Sequence, residues 1–402
     1  MPSGNVRPLL RRAGLATGVT LLMLAQVGPA TAAPERSATN APARGGNVQK
    51  VMDELARIPG VVGAVGGAYV DGRPVGLGSG GSRLLDGEGG KIPANARFPI
   101  WSQTKQMVAT VVLQLVEEGK LGVDDKLGDL LPVVVEKDLV TRADEITVRQ
   151  MLRHTSGIPD WWASEPNPDG SEGDPSFDVF DFTTHYQPLD LVKWSRERPR
   201  TGEPGEKWSY SNTNYTLLGL IIERLTGHDL ATEMRTRLFD PLGMSKTYLR
   251  VKPPEDIKGP HGHGYYPDTN GRLRDMDRFN PSLAGAAGGV VSTARDVSTF
   301  NRAFAQGKLL PPELQRVLTE RLPKKTHLPA VPNAAHRQAL GGTSCGDDFF
   351  VTGGLAPGSI ALTLYSADGR RQFAMSFTLR AKPSTVELDV SKAVEAVFCP
   401  AS

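Results

Sequence analysis

The chain has 402 residues, 39% of them hydrophobic and 22% charged, with a formal net charge of +2. That balance excludes a disordered or low-complexity chain, and it is too even to attract nucleic acid or an anionic membrane surface. The length accommodates two or three domains or subdomains.

The first 32 residues read as a secretory signal. Arg7, Arg11 and Arg12 form a basic region, Leu15 to Val27 an apolar stretch short for a bilayer span, and Ala30-Thr31-Ala32 a cleavage site of the A-x-A kind. We place the cut after Ala32 and read the signal as Sec-type, which makes the protein secreted. A twin-arginine reading of Arg11-Arg12 and an uncleaved anchor are the alternatives. Removal of this segment leaves 43 basic and 44 acidic side chains. No later run reaches about 18 apolar residues, so no stable membrane anchor is expected. Residues 33–46 read as a flexible linker.

One folded domain is expected over 47–400. Asn47 to Ile58 carries helical spacing, with Val48, Val51, Leu55 and Ile58 on one stripe. Strands are expected around Val61–Val70 and Pro74–Leu77, with Asp71-Gly72 as the turn. An extended stretch at Phe98–Trp101 leads into a helix from Ser102 to Glu118, closed by Gly119. Further helices are expected at Thr147–His154, Pro188–Arg196, Asn214–Leu225, Asp229–Phe239, Ala294–Ala305 and Pro311–Arg321. Strands return at Ser359–Tyr365 and Arg370–Arg380 around a glycine turn, preceded by a strand-like run from Phe349. The last helix spans Val386–Phe398. The simple packing is α+β: an α/β/α sandwich whose antiparallel sheet is built from both chain ends, with an inserted all-helical subdomain. Residues 47–120 and 336–400 form the α/β part, and about 121–335 the mostly helical part.

The chemistry concentrates at Ser102-Gln103-Thr104-Lys105. One helical turn separates Ser102 from Lys105, so hydroxyl and amine face the same side of a helix N-terminus. The following residues, Met107 to Val116, are almost wholly apolar, so this lysine heads a helix buried all round. A serine so placed becomes a nucleophile when a neighbour takes its proton. Tyr210-Ser211-Asn212 follows a Gly/Pro loop and offers a phenol and an amide. Asn212 as a plain helix N-cap and Tyr210 as core packing are the bland alternatives. Val351-Thr352-Gly353-Gly354 ends a strand-like run, and glycine there allows another backbone to approach closely. Cys345 and Cys399 are the two cysteines. In an exported chain they read as one structural disulfide contributing on the order of 4 kcal/mol, with two buried thiols as the alternative.

S-x-x-K, then Y-x-N, then a strand ending in T-G resembles the serine β-lactamases, DD-peptidases and related penicillin-recognising enzymes. The Tyr-Ser-Asn form resembles the branch containing class C β-lactamases and secreted D-alanyl-D-alanine carboxypeptidases. Leu113–Leu121, Leu152–Gly157, Tyr210–Gly227 and Gly288–Ala294 share the likeness, and the cysteine placement resembles secreted actinobacterial carboxypeptidases. The resemblance implies a bacterial enzyme acylated on Ser102, with Lys105 and Tyr210 sharing the proton traffic. Either Lys105 is a base of depressed pKa, or as a cation it holds Tyr210 as phenolate. Asn212 would hold the substrate amide. Thr352 and Gly353 would meet the rest of the substrate, and the backbone N–H groups of Ser102 and Gly354 would form the oxyanion hole. No cofactor or metal is implied. The substrate would be a stem peptide, a β-lactam or another small amide or ester, and the protein a monomer.

The sequence departs from that pattern in three places. Val351 stands where Lys or His usually opens the third motif. The upstream arginine of the carboxypeptidases is not evident, with Arg337 the nearest candidate. Gln103 occupies a position where small apolar residues are commoner. Esterases and transacylases on this fold make related replacements, and a non-catalytic penicillin-binding relative is the third reading. Gly342-Thr343-Ser344-Cys345-Gly346 matches a hydrolase elbow but precedes a strand rather than a helix. His261-Gly262-His263 lacks a carboxylate at ligand spacing in the sequence. His154 reads as part of a helix-ending turn. Trp161 and Trp162 either line a cleft or pack under the loop at 163–178.

Overall fold

The computed structural model describes residues 48–162, 177–319, 338–339, 349–386 and 390–399. The expected signal, the linker, Arg337 and the segment containing Cys345 lie outside these, as does most of the loop expected at 163–178.

The chain opens with α1 (Val48–Leu55), whose Val48, Val51, Met52 and Leu55 are buried, as the stripe requires. β1 (Val61–Val70) and β2 (Arg73–Gly81) form a hairpin through Asp71-Gly72. Both turn residues have positive φ, 51° and 78°, the twist a two-residue hairpin needs. β3 (Arg97–Pro99) and a 3₁₀ turn (Trp101–Gln103) lead into α2 (Thr104–Glu117), and Gly119 follows its end with φ 70°. Every residue of α2 from Thr104 to Leu113 is buried. Each fully buried valine or leucine there contributes about 1.5–3 kcal/mol, so this helix is the axis of the main core.

The middle of the chain comprises α3 (Leu127–Leu130), α4 (Pro132–Glu136), α5 (Val148–Leu152), α6 (Pro188–Arg196), α7 (Asn212–Thr226) and α8 (Leu230–Met234). α8 continues as a π turn through Phe239, so the single helix expected there is split. The region is not purely helical. β4 (Tyr248–Leu249), the β5–β6 hairpin (Tyr265–Pro267, Leu273–Asp275), α9 (Pro281–Gly288) and β7 (Val290–Thr293) follow, and β3, β7 and β4 pair as a small antiparallel sheet. These strands are two to four residues long, too short for their periodicity to show. α10 (Ala294–Ala305) and α11 (Pro312–Thr319) precede β8 (Gln338–Ala339), β9 (Phe349–Ala356), β10 (Ser359–Ser366), β11 (Arg371–Leu379) and α12 (Val390–Phe398).

Among the described residues the main sheet has the order β2-β1-β11-β10-β9-β8, antiparallel throughout, so both chain ends meet at the β1–β11 pairing. Alternation along the strands sorts the side chains by layer. Phe349, Val351, Ile360, Leu362, Leu364, Phe373, Met375 and Phe377 face α1 and α12. Val65, Tyr69, Ala361 and Ala374 join α2 and α10 on the other face. β2 is glycine-rich because α1 lies directly on it. A Cβ on Gly80 would fall 2.3 Å from the Met52 carbonyl oxygen. The Gln49 side chain bonds both the N–H and the C=O of Ser79, which covers this edge of the sheet. Cys399, just past α12, is disulfide-bonded. Among the described residues no helix is long and apolar enough to cross a membrane.

Gly80→Ala is expected to push α1 off the sheet and lower stability by about 1–3 kcal/mol. Urea unfolding reads this directly, and an unchanged midpoint would show that α1 does not depend on the close approach.

Candidate active site

The geometry starts from the head of α2. The 3₁₀ turn before the helix places Ser102 half-buried at the mouth, while Lys105 is fully buried. Lys105 Nζ donates to Ser102 Oγ at 3.2 Å, to Asn212 Oδ1 at 2.7 Å and to the Ala287 carbonyl at 2.6 Å. Tyr210, in the loop ahead of α7, places its hydroxyl 2.9 Å from Ser102 Oγ and donates to Asn212 Oδ1 at 3.1 Å. The structure therefore brings Ser102, Lys105, Tyr210 and Asn212 into one cluster. Ser211, not Asn212, is the N-cap of α7, and the Asn212 side chain is turned wholly to the site.

Three acceptors match the three hydrogens of an ammonium group. The two short contacts go to fixed amide oxygens on α7 and α9, so the third position points at Ser102. With Lys105 neutral, the same line carries the Ser102 hydroxyl proton towards the nitrogen lone pair. Burial lowers the Lys105 pKa to about 7, partly offset by the negative charge of Asp160. Burial raises the Asp160 pKa in turn.

Sequence reasoning missed Asp160. Its Oδ1 accepts from the N–H of Trp162 and of Asn212, and its Oδ2 accepts from Asn212 Nδ2 at 3.0 Å. That last bond fixes which way the Asn212 amide points, so the oxygen faces Lys105 and Tyr210. The only sequence signal is a Pro159-Asp160 pair suited to an Asx turn. His154 indeed follows the end of α5, and it also supports the Tyr210 loop. Its Nδ1 accepts from the Ser211 N–H at 3.2 Å, and its ring lies 4.7 Å from that of Tyr210.

Gly354 lies against Ser102, where a Cβ would come 2.4 Å from the Ser102 nitrogen. Any side chain there would separate the two backbones, so glycine is required for this close approach of β9 to the Ser102 backbone. Trp101 has φ 49°, a left-handed conformation costing a bulky residue about 1–3 kcal/mol. Its indole holds that geometry by donating to Ser359 Oγ at 2.8 Å and by meeting Phe279 edge-on at 5.6 Å.

The third motif differs from expectation. β9 alternation sends Thr352 and Gly354 towards α2, and Val351 and Gly353 towards the opposite layer, where Val351 packs among Leu364 and Phe373. Valine at 351 is therefore a core residue. Thr352 also does not present its hydroxyl to the cluster; it is fully buried, 3.3 Å from Gln103 Oε1 and 3.4 Å from the Thr363 carbonyl. An aromatic wall flanks the site instead. It runs from Trp101 through Phe279 to half-buried Trp162 and Phe177, with Trp161 buried behind.

A both-ends antiparallel sheet with a Ser–Lys–Tyr cluster at the head of its central helix defines the penicillin-recognising class of proteins. The family model "Beta-lactamase" matches residues 48–388, and the chain belongs to that family. Penicillin-binding protein 4 of Amycolatopsis lactamdurans is 30% identical over 263 residues, covering 65% of this chain and 64% of that one. A putative D-alanyl-D-alanine carboxypeptidase of Salmonella paratyphi A is 26% identical, covering 54% and 52%. The chain thus spans less than two thirds of the length of these curated relatives. Among solved structures, a D-stereospecific amidohydrolase from Streptomyces sp. is 30% identical with a TM-score of 0.72, covering 89% of this chain and 99% of that one. D-amino acid amidase from Ochrobactrum anthropi SV3, complexed with L-phenylalanine amide, shares the fold at 24% identity and a TM-score of 0.65, covering 84% and 90%.

Asp160→Asn removes the charge that favours protonated Lys105, so an NMR titration of Lys105 should give a midpoint below the parent's; an equal or higher midpoint contradicts this coupling. Val351→His should lower stability, by putting a polar ring in the core, and leave the ratio of activities on D-Ala-D-Ala peptides and neutral esters unchanged. A rise in that ratio would return position 351 to the site.

Proposed function

We propose that the chain is an exported, monomeric serine acyl hydrolase that forms an acyl-enzyme on Ser102 and cleaves amide bonds of D-configured amino acids or peptides. The observation that carries this reading is the convergence of the Ser102 hydroxyl, the buried Lys105 amine and the Tyr210 phenol within 3.2 Å contacts. Neutral Lys105 takes the Ser102 proton as Oγ attacks the acyl carbonyl. The adjoining N–H groups of Ser102 and Gly354 stabilise the oxyanion; a donor of this kind is worth about 3 kcal/mol. Tyr210 delivers a proton to the departing amine, and the proton that Lys105 took from Ser102 returns to the Tyr210 phenolate, the two groups being held together on Asn212 Oδ1. Water then attacks the ester by the reverse route, releasing the acid and free Ser102.

The aromatic wall supports an apolar side chain on the substrate, and the buried Thr352 hydroxyl weighs against a free carboxylate beside the scissile bond. The D-amino acid amidase named above is complexed with a phenylalanine amide, in keeping with an apolar side chain, and the D-stereospecific amidohydrolase supports a D-configured substrate. The D-alanyl-D-alanine carboxypeptidases among the relatives keep stem peptides as the second reading, since the chemistry at Ser102 is the same. Transfer to an amine in place of water is the third. Export rests on the first 32 residues and agrees with the disulfide-bonded state of Cys399.

Incubation with a penicillin or an aromatic D-amino acid ester should add one acyl mass, absent in Ser102→Ala. kcat/KM on D-phenylalanine amide should rise across about pH 6 to 8 as Lys105 loses its proton. No adduct and no hydrolysis of amide, ester or D-Ala-D-Ala peptide would leave a binding protein, and a flat pH profile would remove Lys105 as the base.

A further inference from the structure

Apart from the Ser102 cluster, the segment ahead of β5 carries His261 and His263. Two residues apart in extended chain, they leave the same side of the backbone. Their rings lie parallel, 5.1 Å between centroids and 5° between planes. The β5–β6 hairpin turns the chain back beside them and supplies the carboxylates that the linear sequence does not place at ligand spacing. His261 Nε2 is 2.7 Å from Asp277 Oδ1, and His263 Nδ1 is 2.8 Å from Asp275 Oδ2.

The hydrogen bonds of His261 are informative. Its Nδ1 is 2.6 Å from the Gly259 carbonyl. A carbonyl oxygen only accepts, so Nδ1 carries a hydrogen, and Nε2 faces a carboxylate that also only accepts. One proton, on Nε2 or on the carboxyl oxygen, accounts for this 2.7 Å contact, and a divalent ion can replace that proton once the two atoms part to ligand spacing. Metal-ligating histidines carry the same bond from the distal N–H to a backbone carbonyl, and the nitrogen that would take the ion here meets Asp277, itself a candidate ligand.

The surrounding charges leave the carboxylates available. Among the described residues, Asp275 and Asp277 form ion pairs with the two histidines and with no lysine or arginine. The nearby arginines are held on backbone carbonyls instead: Arg83 Nε on His261 at 3.2 Å, Arg250 Nη1 on Glu255 at 2.7 Å. The ligand atoms of His261, His263 and Asp277 all lie within 4.8 Å of one another. Around tetrahedral zinc, with bonds of about 2.0–2.2 Å, such atoms sit about 3.3 Å apart, so small rotamer shifts close the set.

We infer that His261, His263 and Asp277 form a binding site for a late first-row divalent cation, zinc above all. Two imidazoles and one carboxylate suit zinc and disfavour magnesium or calcium, which want oxygen donors. The site lies behind the wall of the Ser102 cluster, since Gly262, Asp277 and Trp101 line one small cavity of about 30 Å³. The ion would tie the 259–264 segment to the β5–β6 hairpin and stabilise the folded chain by mass action.

The test uses the full mature chain, stripped with a chelator and titrated with zinc or magnesium. Equilibrium dialysis should find one zinc lost on mutation, and thermal unfolding should rise with zinc and not with magnesium. His263→Ala and Asp277→Asn should each weaken zinc binding by about tenfold or more, because even outer partners of a ligand cost that much. His263 is at the rim, so its alanine variant keeps the assay decisive if Asp277→Asn misfolds. Zinc uptake and thermal shift identical in parent and His263→Ala, or no stoichiometric zinc in the parent, would overturn the site and leave two ion pairs.

Discussion

The burial of one amine organises the site. Lys105 sits at the head of a helix with no solvent on any side, so each of its hydrogens needs a protein acceptor. Two of those acceptors are carbonyl oxygens from α7 and α9, and the third is the Ser102 hydroxyl. The amine therefore fixes three helices relative to one another. The loss of a single acceptor leaves a buried polar group unpaired, at a cost of about 1–3 kcal/mol. The same lack of water that makes these bonds obligatory is what brings the amine's proton within easy loss. Structural necessity and chemical readiness have one cause.

Around that amine, geometry is held by contacts that tolerate no substitution of size. Asp160 orients the Asn212 amide, so the oxygen and not the nitrogen meets Lys105 and Tyr210. Gly354 lets β9 touch the Ser102 backbone. Trp101 holds a conformation its side chain would normally avoid, restrained by Ser359 and Phe279. Strain of this kind persists where neighbours over-determine the backbone, and here it directly precedes the serine.

Much of this was legible in the sequence, for identifiable reasons. Ser102 and Lys105 are one helical turn apart, so their proximity is a property of the helix itself. The helix α2 was readable from its unbroken apolar run, and α6 and α10 were expected at the bounds they have. The glycine turn between β10 and β11 and the Asp71-Gly72 hairpin announced the sheet. What stayed hidden depended on tertiary placement. Asp160 and the Ala287 carbonyl carry no local signature of a partner on another helix. Val351 was read by motif position, whereas strand alternation assigns it to the other layer. α9, rich in glycine and alanine, gave little pattern beyond Asn280-Pro281, whose asparagine side chain accepts from the Ser282 N–H.

The pairing of Val61 with Leu379 places neighbouring strands of the main sheet about three hundred residues apart in the chain. Such a high contact order means slow closure, because nearly the whole polypeptide must be available before the central ladder can zip. During synthesis the amino-terminal hairpin and α1 emerge from the ribosome with one edge unpaired until the final strands arrive. The central ladder of this topology can close only after β11 has been made, so the sheet that carries the core is completed at the last step of synthesis.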